Sequence, residues 1–489
     1  MARPNLLFVY TDEQSAATMA AYGNDLIETP NMDRLASGGV VYERAYVTQP
    51  VCTPSRSSLL TGLWPHQSGC TENNVALPPD VACLPELADF SDYCTGHFGK
   101  WHLGDEIFPQ HGFDEWISID DGYRGHYDSG RDPDAHSTYF HWLVDGGVEP
   151  HVGADGFASF SRGQCARLPE DLSKPAYLAN EASRFVSENR DQPWMLFVNF
   201  FEPHMPYYGP RDDQYDPADI PLPPNFDAVP GPDQPLKLRA FQQHYARHGH
   251  SGLPLETESD WRRMIANYWG LCSLVDTHFG RILDALDDSG VADDTIVVYT
   301  SDHGDMMGSH RLIAKCTQHE EAVRVPLIMR GPGVSSGRVE TPVSHIDVVP
   351  TLLDALGKPV PETLPGRRLS DPASDVFVEW NGPNNGLGDI IGEVSLPAGC
   401  EDVAPRDDII RSITDPVRTV ITPGGWKFNC SHLSEHELYN LIDDPGETRN
   451  LVGDPSHHDL LCDLHARLLI WQSGVADPVD LSACLQQCP

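Results

Sequence analysis

Positive charge is what this chain has least of. Lys and Arg number 33 against 72 Asp and Glu, for a formal net charge of −39. That balance excludes a nucleic-acid partner, whose phosphates would be repelled over most of the surface. An anionic membrane surface is disfavoured for the same reason. Small anionic substrates stay open, because a few basic side chains in a cleft reverse the field locally. No apolar run reaches about eighteen residues, so no transmembrane helix is expected. The first apolar run, at 6–10, is too short for a secretory h-region and ends in Thr11-Asp12-Glu13. It reads as a core strand, and a cytoplasmic location is expected, with the periplasm as the alternative for a trimmed precursor. The twelve cysteines contain no C-x-x-C pair and no zinc spacing, so they are expected to stay reduced. Nothing in the spacing supports a disulfide between Cys484 and Cys488. Internal repeats and low-complexity tracts are also missing.

What is present is a normal globular composition, 40% hydrophobic, with 42 Pro and 41 Gly to build turns. Near-continuous apolar runs at 5–10, 194–199, 295–300 and 325–329 fit strands buried on both faces of a parallel sheet. Between 261 and 289, Ile265, Tyr268, Cys272, Val275, Phe279, Ile282 and Leu286 recur in steps of three and four. That period predicts an amphipathic helix, which Gly290 stops before a strand. Helix and strand alternating predict an α/β fold. The segments near 120–175 and 205–258 are rich in Asp, Pro, Gly and His and poor in period. Such insertions build rims or lids. A second helix is expected at 347–356, followed by a Pro/Gly-rich stretch. A boundary near 370 would give a catalytic domain over 1–370 and a smaller C-terminal domain over 371–489.

The expected strands end in polar residues. Asp12-Glu13 follow 5–10, Glu202-Pro203-His204 follow 194–199, and Asp302-His303-Gly304-Asp305 follow 295–300. A shorter strand at 94–98 leads to Lys100-Trp101-His102. Ligands of open α/β sheets bind beyond the carboxyl ends of strands. Several carboxylates meeting there repel unless a cation sits among them, which predicts a divalent metal site. The bland reading, polar turn residues at each strand end, holds about as well for any one of them and weakens for all together. Cys52 precedes Pro54-Ser55-Arg56 at the start of an expected helix, whose amides favour an anion. A lone Cys is usually a small buried hydrophobe, but these neighbours are wrong for a core.

Cys52-Thr53-Pro54-Ser55-Arg56, with Thr61-Gly62 after it, resembles the sulfatase signature C-x-P-S-R. The opening Arg3–Glu13 stretch, Gly99-Lys100-Trp101-His102-Leu103-Gly104, Glu202-Pro203-His204 and Thr300–Gly308 are similar to further elements of that family. So is the Glu437–Leu451 stretch near the C-terminus. The chain is identified as resembling a type I, formylglycine-dependent sulfatase of the alkaline-phosphatase-like superfamily. Asp302-His303 resembles the choline-sulfatase and phosphonate-monoester-hydrolase branch and bacterial glycan sulfatases.

The resemblance implies a large mixed, mostly parallel sheet sandwiched by helices, with a smaller C-terminal α+β domain completing the pocket. It implies that Cys52 becomes formylglycine through a maturation enzyme. Asp12, Glu13, Asp302, His303 and residue 52 would hold one divalent metal, and Arg56 would orient the nucleophile. Lys100, His102, His204 and Lys315 would bind sulfate and handle protons, and Asn73 or its neighbour Asn74 would line the pocket. Glu13 stands where the family more often has Asp or Gln, and His303 where it often has Asn. Calcium favours an all-oxygen shell, and an imidazole favours manganese or zinc. Calcium is expected, or manganese if the imidazole dominates.

The expected reaction is hydrolysis of a sulfate ester on a small molecule or glycan. Its charge sits on several oxygens, which a metal, Arg56, Lys100 and Lys315 can match. Phosphonate monoester or phosphodiester hydrolysis is the second reading, and a catalytically silent binding protein the third. Lys100 and His102 favour the sulfatase, and retention of the whole set opposes silence. Asp305 reads as a turn cap before a ligand. His310 and His319 read as polar structural residues, and Trp380 as packing before a sugar platform.

Overall fold

The computed structural model describes residues 3–122, 135–154, 156–382 and 400–485. Part of the expected 120–175 insertion and Cys488 lie outside the described residues. Eight strands form the main sheet: β1 (Asn5–Asp12), β2 (Val40–Tyr42), β3 (Cys94–Gly99), β4 (Glu115–Ile117), β5 (Trp194–Pro203), β6 (Thr295–Ser301), β7 (Leu327–Arg330) and β8 (Gly337–Val339). Their order is β8-β2-β7-β6-β1-β5-β3-β4. The run from β6 to β4 is parallel, and β7 is antiparallel to both its neighbours.

Strand β1 is buried at every residue. Its pleat sends Leu6 and Phe8 to one face and Leu7 and Val9 to the other. The first pair packs toward Leu59 and Leu60 of helix α1 (Cys52–Thr61) and Leu352 and Leu353 of a helix at Val348–Ala355. The second pair meets Val275 and Phe279 of the helix at Glu258–Asp288 and Phe185 of Lys174–Glu188. A strand covered on both faces has no polar side to show, which is why it reads as an unbroken apolar run.

The run at 325–329 is not one strand of the parallel array. Pro326 has no amide to donate, and the chain breaks there. Arg324–Val325 joins a small three-stranded sheet with Ala45–Tyr46 and Val343–Ser344, and β7 begins at Leu327. The insertion at 205–258 contains a helix, Leu236–His248, whose Leu238, Phe241 and Tyr245 are buried. Those residues do carry the helical period.

A second, antiparallel sheet runs in chain order through β9 (Val376–Trp380), β10 (Val417–Ile421), β11 (Trp426–Ser431) and β12 (Glu437–Asn440). Val420, Phe428 and Leu438 pack on Leu461, Leu464 and Leu468 of the helix at His458–Val475. The architecture is thus the expected mixed α/β sheet flanked by helices, with a smaller C-terminal sheet domain. The expectation of uniformly reduced cysteines fails at Cys462, which is disulfide-bonded. Ten others, Cys52 among them, carry free thiols. Among the described residues no helix is long and apolar enough to cross a membrane.

Candidate active site

Register builds the site. In the β1–β6 pairing Thr11 faces Ser301, and Asp302 N–H donates to Thr11 O at 3.0 Å. Asp12 and Asp302 therefore leave adjacent parallel strands side by side. On the other flank the β1–β5 register shifts between Thr11 and Asp12, so Asp12 sits opposite Pro203, just before His204. Glu13 and His102 follow with φ of 72° and 57°. Left-handed backbone at non-glycine residues marks the places where the chain is bent to aim side chains.

Arg56 ties these ends together. Its guanidinium is fully buried; Nε donates to Asp302 Oδ2 at 2.8 Å and NH2 to Asp12 Oδ2 at 2.9 Å. NH1 donates to Lys100 O and to Asn199 Oδ1. Arg56 thus acts on residue 52 through the two acids it holds. Lys100 Nζ donates to Asp12 Oδ2 at 2.5 Å, and Lys315 Nζ to Glu13 Oε2 at 2.9 Å. His204 Nε2 lies 3.5 Å from the same Glu13 oxygen.

Cys52 is the first residue of α1, whose ten residues are all buried. Its Sγ lies 3.3 Å from His303 Nε2 and 3.8 Å from Asp12 Oδ1. His303 Nδ1 hydrogen-bonds to Gly304 O at 3.0 Å, which turns Nε2 inward. Burial and Asp12 oppose ionisation of Cys52, but Lys100, Lys315 and His303 outweigh them and bring the thiol down to about 7. Burial pushes Glu13 up to about 8 despite Lys315. Asp12 is buried too, yet Lys100, His204 and Arg56 hold it well below the usual carboxylate range. His303, though buried, is raised to about 9, chiefly by Asp302. Burial and then Lys315 hold His204 well below its usual range, and burial with Lys100 does the same to His102.

The donor set fits a divalent cation. Asp12, Cys52, Asp302 and His303 each offer a ligand atom within 4.8 Å of the others, and all four are buried. Glu13 Oε1 is buried without a hydrogen-bond partner. Such an orphaned oxygen beside two further carboxylates suits a cation better than another proton donor. Glu13 differs from the expected arrangement in one respect. It groups with Asp12 and His204, because its other oxygen is turned to Lys315.

Asn73, expected to line the pocket, is tied to the start of α1, where its Oδ1 accepts from Thr53 N at 3.1 Å. Its neighbour Asn74 makes the site contact, with Oδ1 2.8 Å from His102 Nε2. Asp305 is the turn cap expected, accepting from Met307 N, Ala314 N and the Tyr207 hydroxyl. His310 bonds to Ala228 O, and Trp380 is fully buried with its Nε1–H on Ile413 O. Three supports escaped the sequence reading. Glu106 accepts from Trp101 N and His102 N, shaping the turn that presents Lys100 and His102. Asn199 bridges Arg56 and Tyr10 O. An Asn inside Trp194–Phe201, otherwise apolar, was the available signal. Gly304 is a further one: its N–H donates to Ala322 O, and a Cβ there would collide with Glu321 O.

Residues 4–358 match the family model described as Sulfatase. The chain belongs to the sulfatase family. This sulfatase is 30% identical over 494 residues to the uncharacterized sulfatase YidJ of Escherichia coli (strain K12), spanning 98% of this chain and 89% of that protein. It is 28% identical to a choline-sulfatase of Rhizobium meliloti (strain 1021), over 93% of this chain and 83% of that one. Among solved structures, the phosphonate monoester hydrolase SpPMH from Silicibacter pomeroyi superposes with a TM-score of 0.74 at 23% identity. The match covers 97% of this chain and 96% of that one, and shows a common fold. The sulfatase is a sulfuric ester hydrolase, and its family implies a divalent metal and a formylglycine.

Proposed function

We propose that this sulfatase cleaves the sulfate ester of a small molecule or saccharide, using a formylglycine made from Cys52 by a maturation enzyme. The observation that carries the reading is Cys52 itself. It is a buried thiol at the start of a helix, beside His303 and Asp12, in the field of Lys100 and Lys315. A hydrated aldehyde at residue 52 supplies one hydroxyl for attack on sulfur and a second whose deprotonation later expels sulfate. A divalent cation held by Asp12, Asp302 and His303, with Glu13 at its edge, would supply charge that favours an ionised hydroxyl there.

The protein's own groups do the rest. Lys100 and Lys315, both buried, bring two ammonium groups to where the sulfate oxygens would sit. With residue 52 still a thiol, Cys52, Glu13 and Asp12 outweigh burial and hold Lys315 well above its usual range, and the two carboxylates stay beside it once the thiol is replaced. It therefore stabilises charge on the departing alcohol oxygen. His204 Nδ1 is engaged with Met205 O, which leaves Nε2 and the Glu13 carboxyl to hold the proton on that side. His102, bonded through Nε2 to Asn74, turns its other nitrogen away from that contact to serve as the ring's acceptor.

The same pocket could accept a phosphonate monoester or a phosphodiester. The test is kcat/KM on an aryl sulfate, an aryl phosphonate and an aryl phosphodiester with one shared leaving group. The sulfate ester should be fastest. A faster phosphonate or phosphodiester would replace this reading with the second one, and no turnover of any would leave a silent binding protein. Peptide mass spectrometry should show residue 52 with sulfur exchanged for oxygen and two hydrogens lost. Fully active protein with an unmodified Cys52 would refute the formylglycine.

A further inference from the structure

Behind the turn that carries Lys100 and His102, a second set of metal-ligating side chains converges. Cys83 Sγ, a Glu86 carboxylate oxygen and a His111 ring nitrogen all lie within 4.8 Å of one another. They come from two loops. Cys83 caps the short turn Leu84–Glu86, and Glu86 Oε2 accepts from Cys83 N at 3.0 Å, which folds the carboxylate back toward the thiol. His111 arrives from the other loop with φ 52°, followed by Gly112 with φ 77°. A Cβ on Gly112 would meet Glu86 Cγ at 2.8 Å, so the bare backbone is what admits this approach.

The His111 ring supplies a separate observation. Its side chain is only 6% exposed, and its Nδ1 is buried without a hydrogen-bond partner, 3.5 Å from Glu86 Oε2. Burying such a nitrogen unsatisfied is unfavourable, and a ligand would offset that cost. Cys83 is fully buried and carries a free thiol. Burial pushes that thiol well up, so the metal-free protein keeps the proton there and a cation must displace it on binding. Glu86 is 35% exposed, so the cluster meets solvent on that side, where a water would complete the shell of a cation.

We propose that Cys83, Glu86 and His111 form a second metal site, binding a borderline-soft divalent cation of the zinc class through one sulfur, one oxygen and one nitrogen. A thiolate with an imidazole selects zinc or cobalt over calcium or magnesium. The site is distinct from the acid-rich cluster at Asp12 and Asp302. Its role is positioning. The His111 ring lies against Trp101, with centroids 5.8 Å apart, and Trp101 stands between Lys100 and His102. A cation there braces, from outside the pocket, the turn that Glu106 shapes from within.

The test is cobalt(II) titration of the full-length Cys52→Ser protein after chelator treatment, because that substitution removes the thiolate at the acid-rich cluster. A thiolate-to-cobalt charge-transfer band should grow and saturate near one equivalent. Zinc should abolish it, and excess calcium should not. The band should vanish in Cys52→Ser/Cys83→Ser. Should that variant fail to fold, Cys52→Ser/His111→Gln keeps the thiol and should weaken cobalt binding by about tenfold or more. Absence of the band in Cys52→Ser, its displacement by calcium, or unchanged cobalt affinity in His111→Gln would overturn the site.

Discussion

Arg56 and Arg418 are both fully buried guanidinium groups with carboxylates beside them, and they are used in opposite ways. Arg418, on β10, grips one acid with two prongs. Nε and NH2 each lie 2.7 Å from an oxygen of Asp477, and the remaining donors go to Trp380 O, Val417 O and Asn381 Oδ1. One cation meets one anion, and the pair is closed. Arg56 spreads its donors over two acids from two strands, and neither acid is used up. Asp12 also holds Lys100 and still turns Oδ1 toward Cys52, while Glu13 keeps an orphaned oxygen nearby. Burial is the same in both places. What separates a structural ion pair from a reactive one here is whether the charges are left with something further to bind.

That contrast can be broken at Cys52 with the largest effect. Cys52→Ser should lower kcat/KM on an aryl sulfate by on the order of 10³-fold or more while the protein stays folded, since residues acting as one catalytic unit fail together. Asp302→Ala comes next. It should lose most of the bound divalent metal, read by elemental analysis, and at least ~10²-fold in activity, because the remaining acids face one another uncompensated.

Lys315→Ala and His204→Ala should be milder and selective. Esters of poor leaving groups, such as sugar alcohols, should slow by about 10²-fold, and activated aryl sulfates by less. A leaving-group series in kcat/KM reads the difference, and a uniform loss would mean a pure binding role. Asp477→Ala tests the closed pair. It should cost about 3–5 kcal/mol in denaturant unfolding, with kcat per folded molecule unchanged.

The smallest expected effect concerns pH. Burial raises Glu13 to about 8, above its ordinary 4.5, so the folded protein binds more protons than the unfolded chain between those values. Metal-free protein should therefore lose stability from this group as pH rises from about 5 to 8, and Glu13→Gln should flatten that slope in Tm. Identical slopes would remove Glu13 from the account.

The strand-end acids and the Lys100–His102 turn were legible because each lies within a few residues of an apolar run that the sheet must bury, whereas Cys52 was legible only through the Pro54-Ser55-Arg56 that follows it. The direction of Glu13 was not, because it depends on Lys315, which reaches it from a different loop. Asn73 and Asn74 could not be told apart until the fold set one on Thr53 N and the other on His102. The run at 325–329 misled because hydrophobicity ignores the missing amide of Pro326. The Cys83, Glu86 and His111 set stayed hidden because its members meet only when two loops pack, through the absence of a side chain at Gly112.

Gly304 carries a consequence for how such a site can change over evolutionary time. Its backbone is pressed against Glu321 O and bonded to Ala322 O, so the start of the segment after β6 is fastened to the chain that leads into the small three-stranded sheet. Met306 N bonds to Ala314 O, immediately before Lys315, and closes the same segment from within. The loop between them is pinned at both feet. Side chains between the two feet can vary while the backbone that presents Lys315 is inherited unchanged.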